Sequence, residues 1–246
     1  MEHVNFYARF VDDIIILTSN DKADETTNFV KEFLSSDLTL HDDGKRSDIQ
    51  IGKSEILDKD KRRIEKFETL NYLGYEFKIF NTYLQSTDFR VKRKVEVEIS
   101  KNKIKRMKSR LFSSLLSYCS SAKGLGDFKL LEKRLKALTG NYEINSSGTN
   151  VIIKTGIYFN YHHRTPKNNC RLADLDRTFQ RALFSQGHPL FKKLSASLLL
   201  NERRKLSGFS FLNGYKNVTY YSFTYKELAK IRSEERRVGK ECPRCV

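Results

Sequence analysis

The stretch Phe6-Tyr-Ala-Arg-Phe-Val-Asp-Asp-Ile-Ile-Ile-Leu-Thr18 decides how the rest of the chain is read. Asn5–Phe10 alternates aromatic and polar residues, and Ile14–Thr18 is apolar and β-branched. Val11, Asp12 and Asp13 lie between them. That pattern predicts two short strands joined by a tight turn. Adjacent carboxylates between half-buried strands must be solvated, paired or bound to a cation. Oxygen-only donors suit Mg²⁺, which takes one or two carboxylates, keeps waters and shares substrate phosphates. Two such ions about 4 Å apart activate a hydroxyl nucleophile and stabilise a leaving pyrophosphate. A bare Asp-Asp usually marks an ordinary acidic turn. The aromatic-x-Asp-Asp core between two strands shifts the balance to a metal site.

Charge organises the chain around this stretch. The 246 residues carry 46 Lys+Arg against 30 Asp+Glu, a net of +16. Residues 1–60 hold seven basic and fourteen acidic side chains, net −7, and residues 61–246 hold 39 and 16, net +23. One reading is a metal site followed by a nucleic-acid grip. The other is two solvated faces of opposite sign. With 39 % hydrophobic and 12 % aromatic residues the chain is too apolar for a disordered polycation. Ile14–Leu17, the longest apolar run near the start, is too short to span a bilayer. Met1–Asn5 has no signal-peptide character, so a cytoplasmic protein is expected, with no membrane partner. Four cysteines form no disulfide framework.

Further along, Ala23–Leu34 predicts a helix with Phe29, Val30 and Phe33 on its apolar side and Asp21 as N-cap. Leu38–Leu40 and Asp48–Gly52 read as strands around a polar turn, His41–Arg46, and Leu57–Lys66 as a charged connection. Leu70–Phe80 and Tyr83–Gln85 read as a hairpin turning at Asn81-Thr82. Val91–Arg110 carries nine Lys/Arg and two Glu. Ile104, Met107, Leu111, Leu115 and Tyr118 give it one apolar stripe, predicting a long basic helix. Phe128, Leu131, Leu135 and Leu138 predict a second helix. Gly140–Asn150 reads as a loop, Leu172–Phe184 as a helix and Lys226–Ile231 as the start of a last one. Ile157–Tyr161 and Gly208–Tyr225 are aromatic and fit either a core or a base-stacking surface.

Tyr7-Ala-Arg-Phe-Val-Asp-Asp13 resembles the palm metal box of reverse transcriptases, with bacterial retron, group II intron and phage-defence enzymes the nearest in kind. The resemblance implies Asp12 and Asp13 as catalytic ligands of two Mg²⁺ ions. Leu38-Thr-Leu-His-Asp-Asp-Gly-Lys45 resembles the next palm motif, one residue longer than usual, which implies Lys45 beside the nucleotide phosphates. Leu70-Asn-Tyr-Leu-Gly-Tyr-Glu-Phe77 resembles the primer-grip hairpin, implying that Leu73, Gly74 and Tyr75 contact the primer strand. The basic helix falls where the family keeps its thumb. Lys92, Arg93, Lys94, Lys101, Lys103, Lys105, Arg106, Lys108 and Arg110 would then grip the phosphates of a template–primer duplex. The aromatic stretches resemble, more loosely, the C-terminal region of defence-associated members.

The fold class expected is α+β: a partial antiparallel palm sheet, then a mostly helical thumb and C-terminal region. Expected segments are 1–88 (palm), 89–140 (thumb helices) and 141–231 (C-terminal region). Implied partners are an RNA template, a primer duplex, dNTPs, and an accessory non-coding RNA or partner protein. The family also needs a carboxylate from an earlier palm strand and a fingers region that this sequence does not contain, so the chain is expected to be a C-terminal piece inactive by itself. Arg232-Ser-Glu-Glu-Arg-Arg-Val-Gly-Lys-Glu-Cys242 resembles a translated sequencing adapter, which sets 232–246 apart as an artefact tail. The rival reading, a zinc knuckle through Cys242-Pro-Arg-Cys245, lacks a second ligand pair at any recognised spacing. Two other functions stay open: a non-catalytic basic RNA-binding protein, and a related polymerase that extends DNA without a template.

Overall fold

The computed structural model describes residues 4–10, 13–19, 21–33, 48–49, 56–57, 63–64, 67–84, 92–120, 127–145, 152–165 and 170–232. The chain splits into two compact units, Met1–Val97 and Glu98–Val246. The division falls later than the expected change at residue 88. It is a mixture of helices and small antiparallel sheets.

In the first unit, β1 (Val4–Phe10) and β2 (Asp13–Thr18) pair antiparallel, with Phe10 opposite Asp13 and Tyr7 opposite Ile16. This is the hairpin that the opening stretch predicts. Helix α1 (Ala23–Phe33) follows. Thr18 Oγ1 lies 3.3 Å from the buried Thr26 Oγ1, so α1 packs on the face of β2 that carries Thr18. The helix therefore turns Thr26 inward, while Phe29, expected on its apolar side, is exposed. The expected strand at Leu38–Leu40 and turn at His41–Arg46 lie outside the described residues. Of Asp48–Gly52 only 48–49 are described, without regular structure. Within the expected connection Leu57–Lys66, β3 (Ile56–Leu57) and β4 (Arg63–Ile64) form a short ladder.

β5 (Phe67–Tyr72) and β6 (Tyr75–Leu84) pair antiparallel and turn at Leu73-Gly74. The turn expected at Asn81-Thr82 is not there; both residues continue β6. The physical reason is backbone handedness. Leu73 and Gly74 both have positive φ, 50° and 84°, as the two-residue turn matched to strand twist requires. β7 (Lys92–Ile99) adds a third strand in the order β5-β6-β7. Here too the expectation is corrected, because residues 92–99 are strand and the long helix begins only at Lys101. Val95, Val97 and Ile99 alternate with Glu96 and Glu98, a period of two in β-branched residues, and the helical stripe starts at Ile104.

The second unit opens on Ser100, whose Oγ accepts from Lys103 N–H at the start of α2 (Lys101–Ser120). Leu111, Leu115 and Tyr118 of the expected stripe are buried. Helix α3 (Phe128–Thr139) is capped by the Asp127 side chain, which accepts from Leu130 N–H. The loop expected at Gly140–Asn150 is instead partly strand: β8 (Asn141–Asn145) pairs antiparallel with β9 (Ile152–Gly156). Then come α4 (Arg171–Phe184), α5 (Phe191–Ser197), α6 (Leu200–Ser207), α7 (Phe211–Lys216) and a helix over 225–232. Leu111, Leu115, Leu131, Leu135, Phe179 and Phe211 belong to one core, so the expected segments 89–140 and 141–231 share it.

Asn141 ties this unit together from a fully buried position. Its Nδ2 donates to Gly214 O and Thr219 O, both at 3.2 Å, and its Oδ1 accepts from Tyr158 N–H at 2.8 Å. Each of its side-chain polar atoms thus replaces a bond to water, as burial demands. Asp176, mostly buried on α4, does the same for α7. It accepts from Ser210 Oγ at 2.6 Å, Phe211 N–H at 2.7 Å and Leu212 N–H at 3.1 Å. Burial still pushes its carboxyl upward, against those three hydrogen bonds.

Candidate functional site

The β1–β2 turn is built by register. Phe6 faces Leu17, Ala8 faces Ile15 and Phe10 faces Asp13, and directly opposed residues share a sheet face. Asp13 therefore sits at the turn end of a face that also carries Phe6, Phe10 and Leu17. That face is open: Phe10 is 59 % exposed, and Phe6, Leu17 and Asp13 are exposed as well. α1 meets the hairpin at Thr18, which lies on the other face. Asp12, the other carboxylate of the motif, lies outside the described residues, as does Lys45. An exposed carboxylate at a strand end is a hard oxygen donor open to water, which fits a hydrated Mg²⁺. Two ions need more oxygens than one turn supplies. Among the described residues no cluster of three or more His, Cys, Asp or Glu gathers to hold a metal.

The β5–β6 turn presents the expected primer-contact residues in two ways. Leu73 is exposed at the tip and Tyr75 is buried. Gly74 lies beside Leu73 in the left-handed turn. Along the same hairpin the rings of Phe67 and Phe80 meet at 5.4 Å, with Lys78 Nζ 5.0 Å over Phe67 and Lys94 Nζ 4.5 Å over Phe80. Lys78 is a cation that the sequence reading passed over. The available signal is a single lysine set among the aromatic residues of Tyr75-Glu-Phe-Lys-Ile-Phe80. Lys94 also approaches Glu96 at 4.0 Å, so its charge is partly answered.

The expected thumb cations separate by element. Lys92, Arg93 and Lys94 belong to β7 in the sheet with β5 and β6. Lys101, Lys105, Arg106, Lys108 and Arg110 stand exposed on α2, and Lys103 is half-buried. They flank the stripe of Leu111, Leu115 and Tyr118, which points into the core. Lys108 Nζ lies 5.6 Å from the Phe112 ring, and burial, then the Lys108 charge, hold the neighbouring His188 ring below the usual imidazole pKa. Counting by unit, residues 98–246 hold 30 Lys+Arg and 11 Asp+Glu, net +19, and residues 1–97 hold 16 and 19, net −3. A surplus of that size surrounds the unit with a positive potential that draws anions toward it.

No protein-family model, curated protein or solved structure matches the chain. No helix among the described residues is long and apolar enough to cross a membrane.

Proposed function

We propose that the chain is the palm and thumb portion of a bacterial RNA-directed DNA polymerase serving phage defence or a retroelement. The observation that carries the reading is the β1–β2 hairpin, with the exposed Asp13 at its turn beside Phe10. In this reading Asp12 and Asp13 hold catalytic Mg²⁺, completed by a carboxylate from another strand. Lys45 sits near the nucleotide phosphates, and Leu73-Gly74-Tyr75 contacts the primer. The exposed cations of α2 hold the backbone of the template–primer duplex, a sequence-independent and salt-dependent contact. The Mg²⁺ ions would polarise the attacking 3′ hydroxyl and neutralise the departing pyrophosphate.

The test is primer extension by the intact gene product on an RNA template with Mg²⁺. The expected result is extension that disappears in Asp12→Ala and falls steeply in Asp13→Ala. Extension that survives Asp12→Ala sinks the reading. A second reading, a non-catalytic RNA-binding protein, draws on the +19 carried by residues 98–246 alone. Salt-steep duplex binding with no extension from the intact product would favour it. Sequencing the products separates templated synthesis from template-independent extension, which the same fold would support.

A further inference from the structure

The aromatic side chains between Ile157 and Tyr225 divide into two sets. Phe211 and Tyr215 are buried, and the buried Arg164 guanidinium lies 4.6 Å from the Tyr215 ring. Phe159 and Tyr220 form the other set. Their rings meet edge to face, 5.8 Å between centroids and 71° apart, and Tyr220 keeps 42 % of its surface exposed. Lys154 Nζ, on β9, lies 6.0 Å from the Phe159 centroid. Ile152, on the same face of β9, is 57 % exposed.

Two backbone features hold Tyr220 where it is. Asn141 N–H donates to Thr219 O and Tyr221 N–H donates to Asn141 O, both at 2.8 Å, so Tyr220 is bridged in parallel to the edge of β8. Two residues before it, Val218 has φ 47°. A β-branched residue in the left-handed region is a real outlier, and such strain costs roughly 1–3 kcal/mol and collects at functional positions. The chain bears this strain just where it turns an aromatic ring outward, and it anchors that ring to a strand.

The chemistry of the surface narrows its partner. A rigid exposed ring, buttressed by a second ring and flanked by a lysine, offers a flat π-face on a unit of net +19. Glu143 stands opposite Lys154 across the two strands, so the attraction comes from the charge of the whole unit more than from Lys154 alone. A fitting partner is polyanionic and exposes flat faces of its own. Single-stranded nucleic acid does both, whereas a duplex hides its base faces in the stack. We propose that the Phe159–Tyr220 surface binds a single-stranded segment of RNA or DNA, with a base stacked on Tyr220 and the backbone beside Lys154. This site goes beyond the polymerase reading and does not rest on it, since a chain without polymerase activity can still hold a single strand.

The experiment measures anisotropy of labelled oligo(U) and oligo(dT), each of about 12 nucleotides, and of a blunt duplex of the same length. It uses the full chain without Mg²⁺ or dNTPs, so failure of primer extension has no bearing on it. Tyr220→Ala is expected to weaken both single strands roughly 5- to 150-fold. Duplex affinity and melting temperature should stay at wild-type values. Tyr220→Phe should bind as wild type, and Lys154→Gln should flatten the salt slope by about 0.7. Tighter oligo(U) than oligo(dT) assigns the strand as RNA, the reverse as DNA, and equal affinities as either. The proposal is overturned if Tyr220→Ala binds single strands as wild type does, or loses single strand and duplex in equal measure. It also fails if the wild-type chain binds neither oligonucleotide.

Discussion

Gly214→Ala should destabilise the second unit, although it places a better helix former inside α7. The structure supplies the reason. A Cβ on Gly214 would lie 1.7 Å from Thr139 O and 2.8 Å from Thr139 C, both backbone atoms at the end of α3. To reach the 3.4 Å of ordinary contact, α7 must retreat by about 1.7 Å. That retreat stretches the bond from Asn141 Nδ2 to Gly214 O, now 3.2 Å, and the one from Thr219 N–H to the same oxygen. Overpacking costs about 1–3 kcal/mol. A buried amide left without its partner costs about 1–3 kcal/mol more. Ala for Gly returns about 1 kcal/mol of helix propensity. The net is about 3 kcal/mol, or a fall in melting temperature of about 6–12 °C for a unit of this size. Circular dichroism melts and urea titrations of the full chain would read it. Gly187→Ala is the control: its Cβ meets nothing within 4 Å, so stability should hold or rise slightly. If Gly214→Ala melts at or above wild type, the close approach of α7 to the end of α3 is not as described.

Three further outcomes follow from local geometry. Leu73→Asn should raise stability by about 1 kcal/mol, because asparagine tolerates the left-handed turn that leucine strains to adopt, while Gly74→Ala should lower it by a similar amount; urea midpoints in the opposite order would contradict this. Asp176→Ala should cost about 2–4 kcal/mol by stripping acceptors from Ser210 Oγ and two N–H groups of α7, with Asp176→Asn milder, and denaturation curves that superimpose on wild type would refute it. Glu227 is held at about 2, below the 4.5 of a free glutamate, first by the Lys133 hydrogen bond and then by the Thr224 N–H. A lowered folded value means its stabilisation is complete above about pH 4.5 and is lost as pH falls toward 2. The protection factor of the Leu228 amide, its exchange rate relative to the intrinsic rate at each pH, should fall across that interval in wild type and not in Glu227→Gln.

The sequence disclosed the elements whose cause is local and hid those whose cause is distant. The hairpin around Asp12-Asp13 could be read because β-branched alternation and a short acidic turn suffice to define it. The α2 and α3 stripes could be read because three- and four-residue spacing marks one helix face. β7 is hard to read because its three basic residues run on toward the six of α2, which masks the short Val-Glu alternation between them. β8 was hidden because Asn141, which looks like a loop residue, finds its partners in Gly214, Thr219 and Tyr158, far along the chain. The same distance explains Tyr220, whose place at the surface depends on its pairing with Asn141.

The division of charge between the units has a consequence for how the protein behaves in solution. The net charge of +19 on residues 98–246 repels itself, so added salt should tighten their fold while loosening any hold that they have on a polyanion. Stability and affinity thus move in opposite directions along one axis. At low ionic strength the second unit is least content alone and most strongly drawn to a polyanion, and that polyanion would act on it as a folding partner as well as a ligand.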